Sequence, residues 1–244
     1  MLFRLKSSKG VETISRIRSQ KRRRIALSLF VLIAIGFRAA PEASEQRFFI
    51  TISTLAVSSA NGSRIGSTGI WAIEIDRLSE PRGLVVQFSE GSRAYGVLKG
   101  RALEQDSKEA ARTAVLAACR ILEEDPQTWR VTFKEVSNAY LIGGPSAGGA
   151  IAVALIAAVR GASIIPGVVM TGAIDGNGRI LAVGDLPLKI QAAAAAGLST
   201  VLIPVGQART RDWDLWLLSE SLGVTVLEVS TIMDAYEKMT GRRF

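Results

Sequence analysis

The sequence predicts a mixed α/β domain, of the α+β kind, over residues 45–244, preceded by a single N-terminal hydrophobic helix. Three observations carry that expectation. Trp71, Ile73 and Ile75 alternate with Ala72, Glu74 and Asp76, the period of a half-buried strand. Ala114, Val115, Ala118, Cys119, Ile121 and Leu122 recur at helical spacing. Strand-like and helix-like segments then mix without the strict alternation of a doubly wound sheet. An apolar content of 48% with 21% charged residues supports a folded core and excludes a disordered chain.

In chain order, residues 1–24 form a basic tail of nine Lys or Arg and one acid, Glu12, which accounts for the whole net charge of +8. The other 220 residues carry 21 basic and 21 acidic side chains. The high isoelectric point therefore gives the body of the protein no nucleic-acid partner. Ile25 to Phe37 is 13 residues without a charge, bounded by Arg24 and Arg38. A helix of that length spans about 20 Å against a hydrocarbon core of ~30 Å, with Ala39 and Ala40 extending it. Residues 25–40 are read as an uncleaved membrane anchor or a cleaved signal segment, with a buried or surface helix as a third alternative. Cleavage is disfavoured because Pro41 and Glu42 interrupt the small residues at 39, 40 and 43. Both membrane readings place the basic end in the cytoplasm and the domain outside it, single-pass or secreted.

Phe49 to Val57 and Trp71 to Asp76 read as strands, with turn-rich stretches at Ser58 to Ser63 and Ser79 to Gly83. Asp106 and Glu109 resemble a capping box opening a helix that runs to Glu124, with Cys119 on its core face as an inert, packed thiol. Trp129 to Phe133 is a strand, Leu141 to Gly149 is glycine-rich, and Ala147 to Val159 is an apolar helix closed by Gly161. Val168 to Ile174 and Arg179 to Val183 flank Asp175-Gly176-Asn177-Gly178, a hairpin signal. There follow a helix from Leu186 to Ala196 stopped by Gly197, a strand Thr200 to Pro204 and an amphipathic stretch Ala208 to Leu222. A strand Val224 to Val229 and a helix from Thr231 complete the chain.

Composition narrows the chemistry. With no histidine, Ser-His-Asp and Cys-His hydrolases and histidine-ligated metals are excluded. A single cysteine makes neither an internal disulfide nor a thiolate cage, so no metal and no cofactor are expected. In Gly143-Gly144-Pro145-Ser146-Ala147-Gly148-Gly149, the simplest role for Ser146 is to cap the following helix. A phosphate loop fails, because Gly149 and Ala150 follow Gly148 where Lys and Ser or Thr are required. The remaining alternative is Ser146 as a nucleophile at a helix start, where N–H groups and the dipole favour an oxyanion. Its base would be Lys189, whose place among apolar neighbours near the start of a helix depresses its pKa. On local grounds a snorkelling surface lysine is an equal alternative.

The words GGPSAGGAIAVALIAAVRG at 143–161, VVMTGAIDGNGRILAVGDLPLKIQAAAAAG at 168–197 and TVLIP at 200–204 resemble, in order and register, the proteolytic domain of Lon protease. The resemblance implies an α+β Lon-type domain and a serine endopeptidase with a Ser-Lys dyad. Ser146 of P-S-A-G is then the nucleophile and Lys189, 43 positions on, the base. Thr171 of M-T-G would orient the lysine, and Gly144 and Ala147 would support the oxyanion loop. The implied partners are polypeptide substrates, with a homo-oligomer left open. The family's ATPase half has no Walker motif here to represent it, so ATP-independent cleavage of flexible or unfolded polypeptides is expected.

This chain also departs from the family pattern. Gly143 and Ala173 stand where the family has acidic residues, Asp185 replaces a glycine and Pro187 a lysine. Asp185 is expected to cap the helix and to raise the pKa of Lys189. Two alternatives of other classes remain: a non-catalytic Lon-like polypeptide-binding module, and a small-molecule phosphotransferase.

Overall fold

A computed structural model of the chain describes residues 46–60, 62–89, 104–137 and 143–244. The basic tail 1–24, the hydrophobic segment 25–40 and the start of the glycine-rich stretch at Leu141 and Ile142 lie outside them. Among the described residues, no helix is long and apolar enough to cross a membrane.

The first sheet is built on a long hairpin of β1 (Gln46–Ala60) and β2 (Ser63–Arg77), paired from Gln46↔Arg77 to Ala60↔Ser63. The ladder therefore runs through most of Ser58 to Ser63, which sequence reasoning reads as a turn. β4 (Trp129–Ser137) lies antiparallel to β2, and β3 (Val85–Ser89) lies parallel to β4, in the order β1-β2-β4-β3. The short β3 escapes sequence reasoning because its half-buried five residues alternate weakly. Trp71, Ile73 and Ile75 face inward as their alternation requires, and Trp71 meets Phe133 edge to face at 5.7 Å.

Helix α1 (Gln105–Leu122) buries Ala111, Ala114, Val115, Ala118 and Cys119. Burial pushes the Cys119 thiol up to about 12, helped by Glu124 and Asp125, so it is an inert core residue. The expected capping box does not form. Glu104 holds the N-cap position without a side-chain bond, and Asp106 lies inside the first turn. Helix α2 (Gly148–Val159) is buried from Gly148 to Ala158, which is why its sequence is apolar all round.

The second sheet is parallel, in the order β5 (Val168–Met170), β8 (Thr200–Pro204), β9 (Thr225–Val229). Between β5 and β8 come a small hairpin of β6 (Ala173–Ile174) and β7 (Ile180–Leu181) and helix α3 (Leu186–Ala195). The run expected as one strand from Val168 to Ile174 is broken at Thr171-Gly172. Thr171 N–H still donates to Leu202 O of the parallel sheet at 3.0 Å, whereas Gly172 N–H turns away to Ser146 O at 2.8 Å. In the hairpin, Asp175 Oδ1 accepts from Asn177 and Arg179 N–H at 2.9 and 3.0 Å, an Asx turn that also lowers the Asp175 pKa.

Helix α4 covers only Leu215–Leu222 of the amphipathic stretch, because Asp214 caps it, accepting from Leu217 N–H at 3.2 Å. Helix α5 (Ile232–Thr240) is capped by Thr231, whose Oγ1 accepts from Asp234 N–H at 3.1 Å.

Two hydrophobic clusters lie on opposite faces of the parallel sheet. Met170 and Leu202 join the cluster of α1, α2, α5 and the first sheet. Their neighbours Val169, Val201 and Ile203 join that of α3 and α4. Neighbouring strand residues point to opposite faces, and a parallel sheet covered on both faces reads as the continuous apolar runs seen here.

Candidate active site

The loop carrying Ser146 begins at Gly144, whose φ of 93° is a conformation side-chain-bearing residues rarely adopt. It turns the chain into a single 3₁₀ turn, Pro145–Ala147, with proline first, where its missing N–H is not needed. Ser146 is half-buried in this turn, just ahead of α2. Neither the turn nor α2 has a side-chain cap bond, so the hydroxyl of Ser146 is not spent on capping. The turn is stitched to the break after β5. Gly172 N–H donates to Ser146 O, and Gly149 N–H donates to Gly172 O at 2.9 Å. A Cβ at Gly149 would overlap Met170 Cε and stand 3.2 Å from Gly172 O, so a side chain here would have to push Met170 aside and crowd the bond to Gly172.

Lys189 leaves the first turn of α3 from the other face of the sheet. It is 5% exposed, and its Nζ donates to Thr171 Oγ1 at 3.2 Å. Thr171 is fully buried and sits one residue past the carboxyl end of β5. Its Oγ1 also lies 3.5 Å from Ser146 O. Thr171 thus touches both the lysine and the serine's backbone, while no hydrogen bond joins Lys189 Nζ directly to the Ser146 hydroxyl.

Burial lowers the pKa of Lys189 from 10.5 to about 8; Asp185 opposes the shift and Arg64 reinforces it. The residues facing this ammonium with charge are Asp185, from its own helix start, and Arg64, from β2. Asp185 occupies the N-cap position but makes no capping bond, contrary to expectation. Its φ of 62° and ψ of 28° are left-handed, which turns the carboxylate to the Arg64 guanidinium. Asp tolerates that conformation better than most residues, and a glycine would adopt it freely.

The two other expected site residues fare differently. Ala147 closes the 3₁₀ turn next to Ser146. Gly144 has its N–H turned onto Asp106 Oδ2 at 2.9 Å, so in this conformation it anchors the loop rather than presenting a free oxyanion donor. Beside Ser146 is a small pocket walled by Thr54, Ala56 and Trp71 of the first sheet and by Ser107 and Ala110 of α1. Asp106, Ser107 and Arg64 had no local signal as site residues, because each acts across a sequence gap that only the fold closes. Among the described residues, no three His, Cys, Asp or Glu side chains are grouped to hold a metal.

The chain matches, over residues 98–227, the family model of the Lon protease (S16) C-terminal proteolytic domain. It is 34% identical over 141 residues to Lon protease of Methylocella silvestris, covering 54% of this chain and 17% of that protein. It is 30% identical over 167 residues to archaeal Lon protease of Archaeoglobus fulgidus, covering 66% and 26%. With Lon protease of Escherichia coli it shares 36% identity over 108 residues, covering 43% and 14%. The chain thus spans about a quarter or less of the length of these relatives. It belongs to the Lon proteolytic-domain family.

Proposed function

We propose that this chain is a serine endopeptidase in which Ser146 is the nucleophile and Lys189 the general base, cleaving flexible or unfolded polypeptides without ATP. The observation that carries this reading is a buried lysine with a pKa of about 8, held by Thr171 against the backbone of Ser146. A neutral amine has two N–H bonds and one lone pair. Giving one N–H to Thr171 fixes the rotation of the amine and leaves the lone pair for the Ser146 proton.

The amine of Lys189 takes the hydroxyl proton as Ser146 Oγ bonds to the peptide carbonyl carbon. The backbone N–H groups of Ser146 and Ala147, just ahead of α2, would hold the oxyanion with the helix dipole. Collapse breaks the C–N bond, the lysine returns its proton to the leaving amine, and an acyl-Ser146 ester remains. Water, deprotonated by the same lysine, releases the acid and restores the serine.

Only neutral Lys189 can act. kcat/KM therefore rises as pH climbs toward about 8 and falls about tenfold per unit below it. The reading is tested with the full chain and an unfolded casein-like substrate, no nucleotide added. Wild type is expected to cleave, and Ser146→Ala and Lys189→Ala each to abolish cleavage with unchanged melting. Cleavage surviving in either variant refutes the dyad.

The basic tail followed by the uncharged run from Ile25 to Phe37 supports a single-pass anchor with the peptidase domain outside the cytoplasm. A C-terminal alkaline phosphatase fusion should be active and a fluorescent-protein fusion dark; the reverse pattern overturns this orientation.

A further inference from the structure

Two hydrogen bonds tie the first turn of α1 to Gly144, two places before Ser146 and 38 positions away from Asp106 along the chain. Asp106 Oδ2 accepts from Gly144 N–H at 2.9 Å, and Ser107 Oγ donates to Gly144 O at 3.2 Å. Asp106 Oδ1 meanwhile accepts from Ser107 N–H at 2.8 Å, which fixes the carboxylate that does the gripping. Both polar backbone groups of Gly144 are therefore held by neighbouring residues of one rigid element. Ser107 is buried, so its bond is made away from water, and the bond from Asp106 is charge-assisted.

The position of this grip matters because Gly144 has no side chain to restrict its backbone. A glycine at positive φ has many other conformations open to it, and each would swing Pro145 and Ser146 to a different place. The Glu104 carboxylate lies where a side chain at Gly143 would begin. The acidic groups bordering the loop in this chain thus come from the start of α1 rather than from the loop itself.

We propose that Asp106 and Ser107 form a clamp on Gly144 that positions Ser146 for attack, Asp106 being a positioning residue and not a catalytic one. This rests on the peptidase reading above. A displacement of the nucleophile by about 1 Å costs on the order of a hundredfold in rate, so loss of one of two clamps should cost about tenfold. The effect belongs in kcat, because Gly144 is restrained whether or not substrate is bound.

The test compares Asp106→Ala, Asp106→Asn and Ser107→Ala in the full chain by steady-state kinetics and by amide hydrogen exchange of residues 143–149. Asp106→Ala should lower kcat about tenfold with KM within about twofold, and speed exchange in the loop while the rest of α2 stays protected. Asp106→Asn keeps an acceptor for Gly144 N–H and should recover much of the rate, and Ser107→Ala should show the same kcat loss on a smaller scale. The pH limb near 8 should stay where it is in all three, because Lys189 is untouched. Unchanged kcat, a faster Asp106→Ala enzyme, or unchanged exchange overturns the clamp. If Asp106→Ala does not fold, Ser107→Ala decides by the same criteria. If wild type cleaves nothing, the peptidase reading fails by itself and the exchange result still decides the clamp.

Discussion

The two halves of the site are held by different forces. Ser146 is fixed by backbone: the 3₁₀ turn, the bonds Gly172 N–H to Ser146 O and Gly149 N–H to Gly172 O, and the grip of α1 on Gly144. Behind it α2 is immersed in one hydrophobic cluster. Lys189 is fixed by side chains. Its helix rests on the other cluster through Leu186 and Ile190, its amine on Thr171, and its helix start on an ion pair with Arg64. On the proposed mechanism, a serine that must present one oxygen at one point needs a rigid frame, and a lysine that must lose and regain a proton is better placed where burial and two adjustable charges set its pKa. The halves meet at Thr171, where β5 ends.

The sharpest way to break this comparison is on the backbone side. Gly149→Val would drive a side chain into Met170 and Gly172 O, and should destabilise the fold by about 3 kcal/mol. Thermal melting checks it; an unshifted melting temperature would mean that the junction of α2 with the Thr171-Gly172 step is slack. A more selective probe is the seam itself. Thr171→Val keeps the shape but removes the acceptor of the Lys189 N–H, and should lower kcat by about 10- to 100-fold with little change in KM. A loss confined to KM would show that Thr171 serves binding rather than aim.

The smallest effects are expected on the side-chain side. Asp185 raises the pKa of Lys189 and Arg64 lowers it. Arg64→Ala should therefore move the pH–rate limb to higher pH, and Asp185→Asn to lower pH. Both groups reach solvent, so each shift should be small and shrink with added salt, as exposed ion pairs do. Shifts of opposite sign to these would mean that the pair acts on the lysine through geometry and not through charge.

Much of this was legible in the sequence because it is encoded locally. Alternation placed β2, apolar periodicity placed α1, a continuous apolar run placed α2, and glycine marked the ends of α2 and α3. The Lon-like words at 143–161 and 168–197 put Ser146, Thr171 and Lys189 into one site. Asp106 shows where local reading fails. Its Asp-x-x-Glu spacing suggests a capping box, yet its carboxylate is drawn to an N–H on a distant loop, a partner no spacing can announce. Asp185 fails likewise: a good capping residue by type, it sits at positive φ and turns to Arg64.

By itself, then, the sequence determined most of the elements and the absence of histidine chemistry, because propensity, periodicity and residue chemistry are properties of short segments; the choice of Ser146 and Lys189 as candidate nucleophile and base came from the resemblance. Only the tertiary structure decided that two hydrophobic clusters on opposite faces of one sheet bring the serine and the lysine to a shared threonine. It also decided the burial that takes Lys189 to a pKa of about 8. Desolvation and hydrogen bonding across long sequence gaps exist only once the chain has closed on itself.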